Sequence, residues 1–393
     1  MCSRPLLRIA TLVVDDRPDR DSRPPFFGAA PTALLQGFEA LDHRETEIHV
    51  ISCTKSTMPA PLKLADNIFY HQVVLPHWTY LRSLHAGPVF GVRHILRKIR
   101  PDIVHAHGVE RWCGLAGCLS GFPAVLTIHG QLRLILQKVK MSPVFYWRLQ
   151  MILGEWSIKR YKAVICISSH IKNSVSGGSR KNYLVPNALR QEFLSMPKVT
   201  AITNYSRAHI LVIGTITENK RPLELLDMLF SLHRSGFPFH VRFIGSLNEK
   251  DSYGAAFAAM LRVAALSGFA DHVSHLDSQS IIHEMDNAHA LVHFPLEEAF
   301  GLVVAEALAR ELRVFASKVG GIQDIVNLVP GVELYPPNDF QQLCKGLQRW
   351  MLAGHPKLDG AAKFMKSRYS PRSIAKDTVA VYQHVLAQTT THQ

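Results

Sequence analysis

Two carboxylates, Glu298 and Glu306, flank a glycine in the run Phe294-Pro-Leu-Glu-Glu-Ala-Phe-Gly-Leu-Val-Val-Ala-Glu-Ala-Leu-Ala309. A strand ending at Phe294 is followed by a turn carrying Glu297 and Glu298, then by a helix of small and apolar residues. The unpaired amides at such a helix start, here around Phe300, Gly301 and Leu302, form an edge that binds anions and hydroxyls, helped by the positive end of the helix dipole. Gly301 lets a ligand approach that backbone closely. Glu306 follows Gly301 by about 7.5 Å of helix, so the two carboxylates could grip opposite ends of one extended ligand. Attraction to the helix dipole would also explain Glu297 and Glu298. Glu306 is different, because it stands among Val303, Val304, Ala305, Ala307, Leu308 and Ala309, where a buried carboxylate needs a partner.

Other clusters point less sharply. His105 and His107, two apart on a strand, share a face, and His129 supplies a third imidazole for a metal. No carboxylate or cysteine is placed to orient such a site, and 21 histidines make the spacing unsurprising, so no metal is expected. Asp19-Arg20-Asp21 has a metal-binding spacing but is mixed with Arg17 and Arg23, and reads as a solvated loop. From 131 to 162, seven basic residues stand against Glu155 alone. Apolar residues at Leu132, Ile135, Leu136 and Val139, then at Phe145, Leu149, Ile152, Leu153 and Trp156, fall at helical spacing. Such a helix either faces the core with its basic side in water or lies on anionic lipid, and spacing leaves both open.

These residues need a scaffold. Short β-branched runs, each followed by a helical pattern, occur at Ile9–Val14, Ile48–Ser52, Ile103–His105, Ala124–Ile128 and Ala163–Ile167. They recur at Ile210–Ile213, Val241–Ile244, Ala290–His293 and Arg313–Ala316. The alternation predicts parallel α/β sheets in two doubly wound halves, joined by Val185-Pro186-Asn187 and the polar stretch Pro197 to Arg207. In open α/β sheets ligands sit beyond the carboxyl ends of the strands, so the expected site is a cleft between the halves. A final helix, about Pro371 to Ala387, could pack on either half.

The 393 residues suffice for two or three cores, and 47% hydrophobic with 19% charged residues describes a globular chain. The net charge of +13 favours an anionic partner. Nucleic acid is set aside, because the basic residues are dispersed and no finger, basic-zipper or RNP-like pattern occurs. Six scattered cysteines without a CxxC pair read as reduced thiols. Met1 runs quickly into an apolar strand without a secretion-signal pattern, and no window reaches a membrane-spanning length. The expectation is a cytoplasmic protein, with any membrane contact peripheral, at the inner face.

Glu298, seven residues and then Glu306, followed by Val319-Gly-Gly-Ile-Gln-Asp-Ile-Val326, resembles the signature of the retaining glycosyltransferases of family 4, which have the GT-B fold. Val212-Ile-Gly214 with Lys220 is similar to the family's strand, glycine and lysine at the donor diphosphate. Pro186-Asn187 resembles its interdomain Pro-Asn, and Asp102-Ile-Val-His-Ala-His-Gly108 and Leu126-Thr-Ile-His-Gly130 resemble its His-bearing loops. The resemblance implies two Rossmann-like domains facing a cleft: 1–195 on the acceptor side, 196–370 for the nucleotide-sugar donor, and a helix, 371–393, that could return to the first domain. It implies transfer of a sugar from a nucleoside-diphosphate donor, a UDP-sugar first among candidates, to a hydroxyl on a carbohydrate or lipid-linked acceptor. Cell-surface polysaccharide or glycolipid synthesis is the setting it suggests. An anionic membrane surface is a candidate partner, and no cofactor or metal is implied.

By the same resemblance Glu298, His129 and Lys220 form the catalytic set. Glu298 would meet sugar hydroxyls, Lys220 the diphosphate, and His129 the transferred sugar or the acceptor. Glu306 would hold the ribose, while Phe300, Gly301, Leu302, Gly214, Thr215, Arg221 and Gly28 would complete the donor site. Departures are visible. Thr215 stands where the family usually carries Arg, leaving Arg221 as the replacement cation. The glycine-rich turn after the first strand is reduced to Phe26-Phe27-Gly28-Ala29-Ala30, Ala188 follows Pro-Asn in place of Gly, and Arg310-Glu311-Leu312-Arg313 replaces a Gly- and Pro-bearing turn. A catalytically silent GT-B protein that binds a nucleotide sugar, or serves as a scaffold, is the alternative.

Overall fold

The structure, a computed structural model, describes residues 6–15, 25, 27–42, 44–109, 111–130, 132–136, 144–175, 180–195, 207–326, 329 and 332–390. Asp19-Arg20-Asp21, Phe26, Lys138, Lys140 and nearly all of the polar join lie outside them. The chain forms two compact units: one comprises 1–136, 140–190 and 369–393, and the other comprises 137–139 and 191–368.

The first unit runs β1 (Leu7–Leu12), α1 (Ala29–Glu39), β2 (Thr46–Thr54), β3 (Lys63–Ala65), β4 (Ile68–Val74), α2 (Ala86–Ile99), β5 (Ile103–His107), α3 (Trp112–Cys118), β6 (Ala124–Ile128), α4 (Leu132–Leu136), α5 (Val144–Ile158), β7 (Ala163–Cys166), α6 (Ser169–Ser174) and β8 (Lys181–Leu184). Its eight strands lie in the order β3-β4-β2-β1-β5-β6-β7-β8, parallel throughout except for the β3/β4 hairpin. Strands β5 and β7 are buried along their whole length and β1 over its last four residues, as expected where helices cover both sides of a parallel sheet.

The second unit runs β9 (Ala208–Ile213), α7 (Pro222–Arg234), β10 (Phe239–Ile244), α8 (Ser252–Leu266), β11 (Ala270–Val273), α9 (Ser278–Asn287), β12 (Ala290–His293), α10 (Leu302–Ala309), β13 (Arg313–Ser317), α11 (Ile322–Val326), β14 (Val332–Tyr335), α12 (Phe340–Leu352) and α13 (Ala361–Tyr369). Its six parallel strands lie in the order β11-β10-β9-β12-β13-β14, so the order reverses between β9 and β12. The last helix, α14 (Pro371–Thr390), belongs to the first unit, where Ile374, Ala375, Val381, Tyr382 and Val385 join the core built around Ile9, Phe38 and Ile48.

All nine sequence-predicted strands are present, and β3, β4, β8, β11 and β14 are additional. Four of the five lie at sheet edges. Edge strands such as Lys181–Leu184 bury less than central ones, so they carry no continuous apolar run.

Candidate functional site

Two strand ends carry the chemistry of the second unit. At the reversal of strand order, β9 ends beside Gly214 and β12 ends at His293, which is where open α/β sheets form ligand crevices. The loops beyond them are stitched together. Leu296 N donates to the carbonyl of Asn219 at 2.8 Å, and the Asn219 side chain donates to the carbonyl of Glu297 at 3.1 Å. Gly321 N donates to the carbonyl of Glu298 at 3.0 Å, so the Gly-Gly-Ile segment braces the same turn.

This bracing brings Lys220 and Glu298 into contact. Lys220 Nζ donates to Glu298 Oε2 at 2.6 Å, and His293 Nε2 lies 2.8 Å from that same oxygen. Burial alone would raise the Glu298 carboxyl, but the Lys220 charge and the His293 hydrogen bond outweigh it and hold the carboxyl well below the usual carboxylate range. Burial pushes His293 down, with Glu298 opposing, so the imidazole that donates to the carboxylate is neutral at pH 7. His293 is 5% exposed at the side chain. It was missed in the sequence, although its place at the end of a strand and five residues before Glu298 was visible.

Glu306 is buried on α10 among Val304, Ala305 and Ala307. Phe300 is buried, Gly301 is the N-cap of α10 with φ +99°, and Leu302 opens the helix. A side chain at Gly301 would meet Ile322 at 3.1 Å, so the left-handed turn and the close packing both require glycine there. Gly214 (φ +152°) approaches Gly245, where an added Cβ would sit 2.0 Å from the Gly214 carbonyl oxygen. Thr215 next to them is exposed. Arg221 is engaged elsewhere: its guanidinium donates to the carbonyl of Pro337 and lies 4.5 Å from the Phe340 ring centroid. In the replaced turn, Glu311 has φ +60°, the conformation that a glycine adopts freely, and its carboxylate accepts from Ala361 N and Ala362 N at 3.2 and 2.8 Å. Arg310 forms a buried pair with Asp286 at 2.6 Å and donates to the Ser195 carbonyl.

The first unit gathers a separate set. His107 Nδ1 lies 2.9 Å from His129 Nε2, and the rings stack. His105 is bonded at both nitrogens, to Tyr382 Oη and to Thr127 Oγ1, each at 2.6 Å. Burial pushes His129 down to about 4 and His105 to about 3, with His107 also well below the ordinary value. His107, His129, Pro186 and Asn187 line one small recess with Ala30 of α1, whose N-cap is Gly28 at φ +79°. The two His-bearing loops, the Pro-Asn pair and the start of α1 therefore converge. Among the described residues no three His, Cys, Asp or Glu converge on a metal position.

On α5 the apolar positions divide. Phe145 and Ile152 are 79% and 59% exposed, and Trp156, 37% exposed, has the Arg160 guanidinium carbon 3.3 Å from its ring centroid. Arg148, Lys159 and Arg160 are exposed beside them. Among the described residues no helix is long and apolar enough to cross a membrane.

Residues 33–192 match the profile of Glycosyltransferase Family 4, and residues 203–363 match Glycosyl transferases group 1. No curated protein matches the chain. Among solved structures, sucrose-phosphate synthase from Thermosynechococcus elongatus superposes with a TM-score of 0.78 at 18% identity, covering 97% of this chain and all of that one. A glycosyltransferase from Rickettsia africae gives 0.71 at 14% identity, over 98% of this chain and 99% of that one. HepE of Anabaena in complex with UDP and glucose gives 0.69 at 15% identity, over 96% and 99%.

Proposed function

From a chain that belongs to the group 1, family 4-like glycosyltransferases of the GT-B fold, we propose an enzyme that moves a sugar from a nucleoside-diphosphate donor to a hydroxyl acceptor with retained anomeric configuration. The observation that carries it is the Lys220–Glu298–His293 cluster at the reversal of strand order, directly before the N-terminus of α10. A diphosphate at the helix start draws Lys220 by its greater charge, so the ammonium and the α10 amides together stabilise the leaving group. Glu298, still held by His293, accepts from sugar hydroxyls, and Glu306 accepts from the ribose. The bond from the anomeric carbon to the diphosphate oxygen breaks, the acceptor oxygen bonds on the same face, and its proton passes to the departing phosphate. His129 of the first unit orients the acceptor or the transferred sugar. No protein carboxylate serves as nucleophile. The leaving-group charge is met by Lys220 and amides, so turnover should survive EDTA.

A UDP-sugar is the first donor to try, since HepE binds UDP and UDP-glucose. The exposed Phe145 and Ile152, with Arg148, Lys159 and Arg160 around them, support docking on the anionic inner face of a membrane, fitting a lipid-linked acceptor of cell-surface glycan synthesis. A second reading, a silent nucleotide-sugar-binding protein, draws on the exposed Thr215 and the engaged Arg221, which leave Lys220 without a partner cation. Calorimetry with UDP-, GDP- and ADP-glucose decides between them. One donor should bind the wild type and fail to bind Glu306→Ala, and Glu298→Gln should turn over at least 100-fold more slowly with unchanged circular dichroism. Binding without donor hydrolysis or transfer favours the silent reading, and a normal rate in Glu298→Gln overturns the assigned roles.

A further inference from the structure

A cavity of about 470 Å³ opens in the first unit at the carboxyl ends of β1 and β2, a volume in the range of small-ligand sites. No motif singled it out, because its walls come from five separate stretches of chain. Three of its lining side chains are cationic, Lys55, Arg82 and Arg111, against one carboxylate, Asp15. Lys55, Arg82 and Arg111 are exposed at the rim. Deeper, Tyr80 and His85 each keep a polar atom, the phenol oxygen and Nδ1, buried with no hydrogen-bond partner. The other imidazole nitrogen of His85 faces Gln150, and His85 itself is 3% exposed. Both side chains line the cavity, and a buried polar atom without a partner carries a cost that a small turn of the side chain toward a ligand hydroxyl would relieve.

We infer that this cavity seats an acceptor whose head carries a phosphate, with the oxyanion at the Lys55–Arg82–Arg111 rim and sugar hydroxyls reaching Tyr80 and His85. The inference rests on the glycosyltransferase reading and names the acceptor class that reading leaves open. Guanidinium forks and an ammonium recognise phosphate by charge and paired hydrogen bonds. Trp112 and Tyr146 also line the cavity; Trp112 is almost wholly buried, so Tyr146 is the aromatic side chain within reach of the apolar face of a sugar ring. Helix α5 serves two purposes here, because Tyr146 and Gln150 face the cavity while Phe145 and Ile152 of the same helix stand in solvent.

The phosphate could belong to a soluble sugar phosphate or to a lipid head group. The test titrates the full chain with glucose, glucose 6-phosphate, inorganic phosphate, UDP, GDP and ADP, and sediments it with phosphatidylglycerol or phosphatidylcholine vesicles. Lys55→Gln/Arg82→Gln is the main variant, chosen because both residues are exposed, and His85→Gln probes the deep wall. Glucose 6-phosphate should bind at least tenfold more tightly than glucose, and the double variant should lose that preference while binding UDP as the wild type does. Sedimentation with phosphatidylglycerol alone, reduced at least fivefold in the double variant, would assign the phosphate to a lipid. Normal UDP binding with no phosphate or vesicle effect in either variant overturns the inference and leaves the glycosyltransferase reading standing. Failure of UDP, GDP and ADP alike to bind the wild type, with the phosphate preference intact, instead strikes at that reading and leaves the cavity's phosphate site standing.

Discussion

Glu298 presents one carboxylate oxygen to two donors, Lys220 at 2.6 Å and His293 at 2.8 Å. Because the folded carboxyl lies below its ordinary value, its stabilising contribution is full above about pH 4.3 and is lost only as pH falls further. The pair is therefore intact at any physiological pH. Lys220→Ala removes the charge that opposes burial, so the carboxyl should rise. The residual activity of that variant should then fall off at higher pH on the acid side than wild-type activity does. A pH profile with an unmoved acid limb would show that Glu298 does not govern it. Glu298 and Glu306 were legible in the sequence because one precedes a helix start and the other stands among apolar residues, whereas Lys220 entered through the family resemblance. His293 was not legible, since its role depends on a hydrogen bond to a loop that doubles back on its own strand.

The turn after α10 shows how an element absorbs a departure. Glu311 occupies a left-handed conformation at φ +60° and repays it by accepting from the first two amides of α13. Glu311→Ala should lose the cap and keep the strain, costing about 1–2 kcal/mol. Glu311→Gly should cost about 1 kcal/mol less, since glycine adopts that conformation freely. Equal losses in denaturant melts would mean that the backbone there is unstrained. The alternation of strands and helices announced both sheets, and the central strands were found within a few residues. The edge strands escaped because their polar residues break any apolar run, and β4 because His71 and Gln72 interrupt its apolar residues. Likewise the α5 spacing could not tell which side would be covered, and the fold leaves Phe145 and Ile152 outside.

Acid should act unevenly on the molecule as a whole. His105, His107 and His129 are neutral in the folded first unit, with values of about 3, well below ordinary, and about 4. In the unfolded chain each takes up a proton near pH 6.5. The stability they contribute is full above that value and drains as pH falls toward 4, by up to about 1.4 kcal/mol per pH unit for each histidine. Added to a net charge of +13, this predicts a melting temperature that drops between pH 7.5 and 5, less steeply in His129→Gln. A flat profile would mean that these rings are not kept neutral by burial. Removing residues after Arg368 should open the first unit, because Ile374, Val381 and Tyr382 fill its core and Tyr382 holds His105. Calorimetry should show that loss while the second unit melts nearly as before.

The return of α14 to the first unit also sets an order of assembly. As a ribosome releases the chain, residues 1–190 emerge first, yet their core lacks Tyr382 until some 190 more residues have followed. The second unit, whose core is drawn from one nearly continuous stretch, can close sooner although it is made later. A chain whose synthesis stops before α14 would thus present an open first half to chaperones and proteases, even where the second unit has already closed.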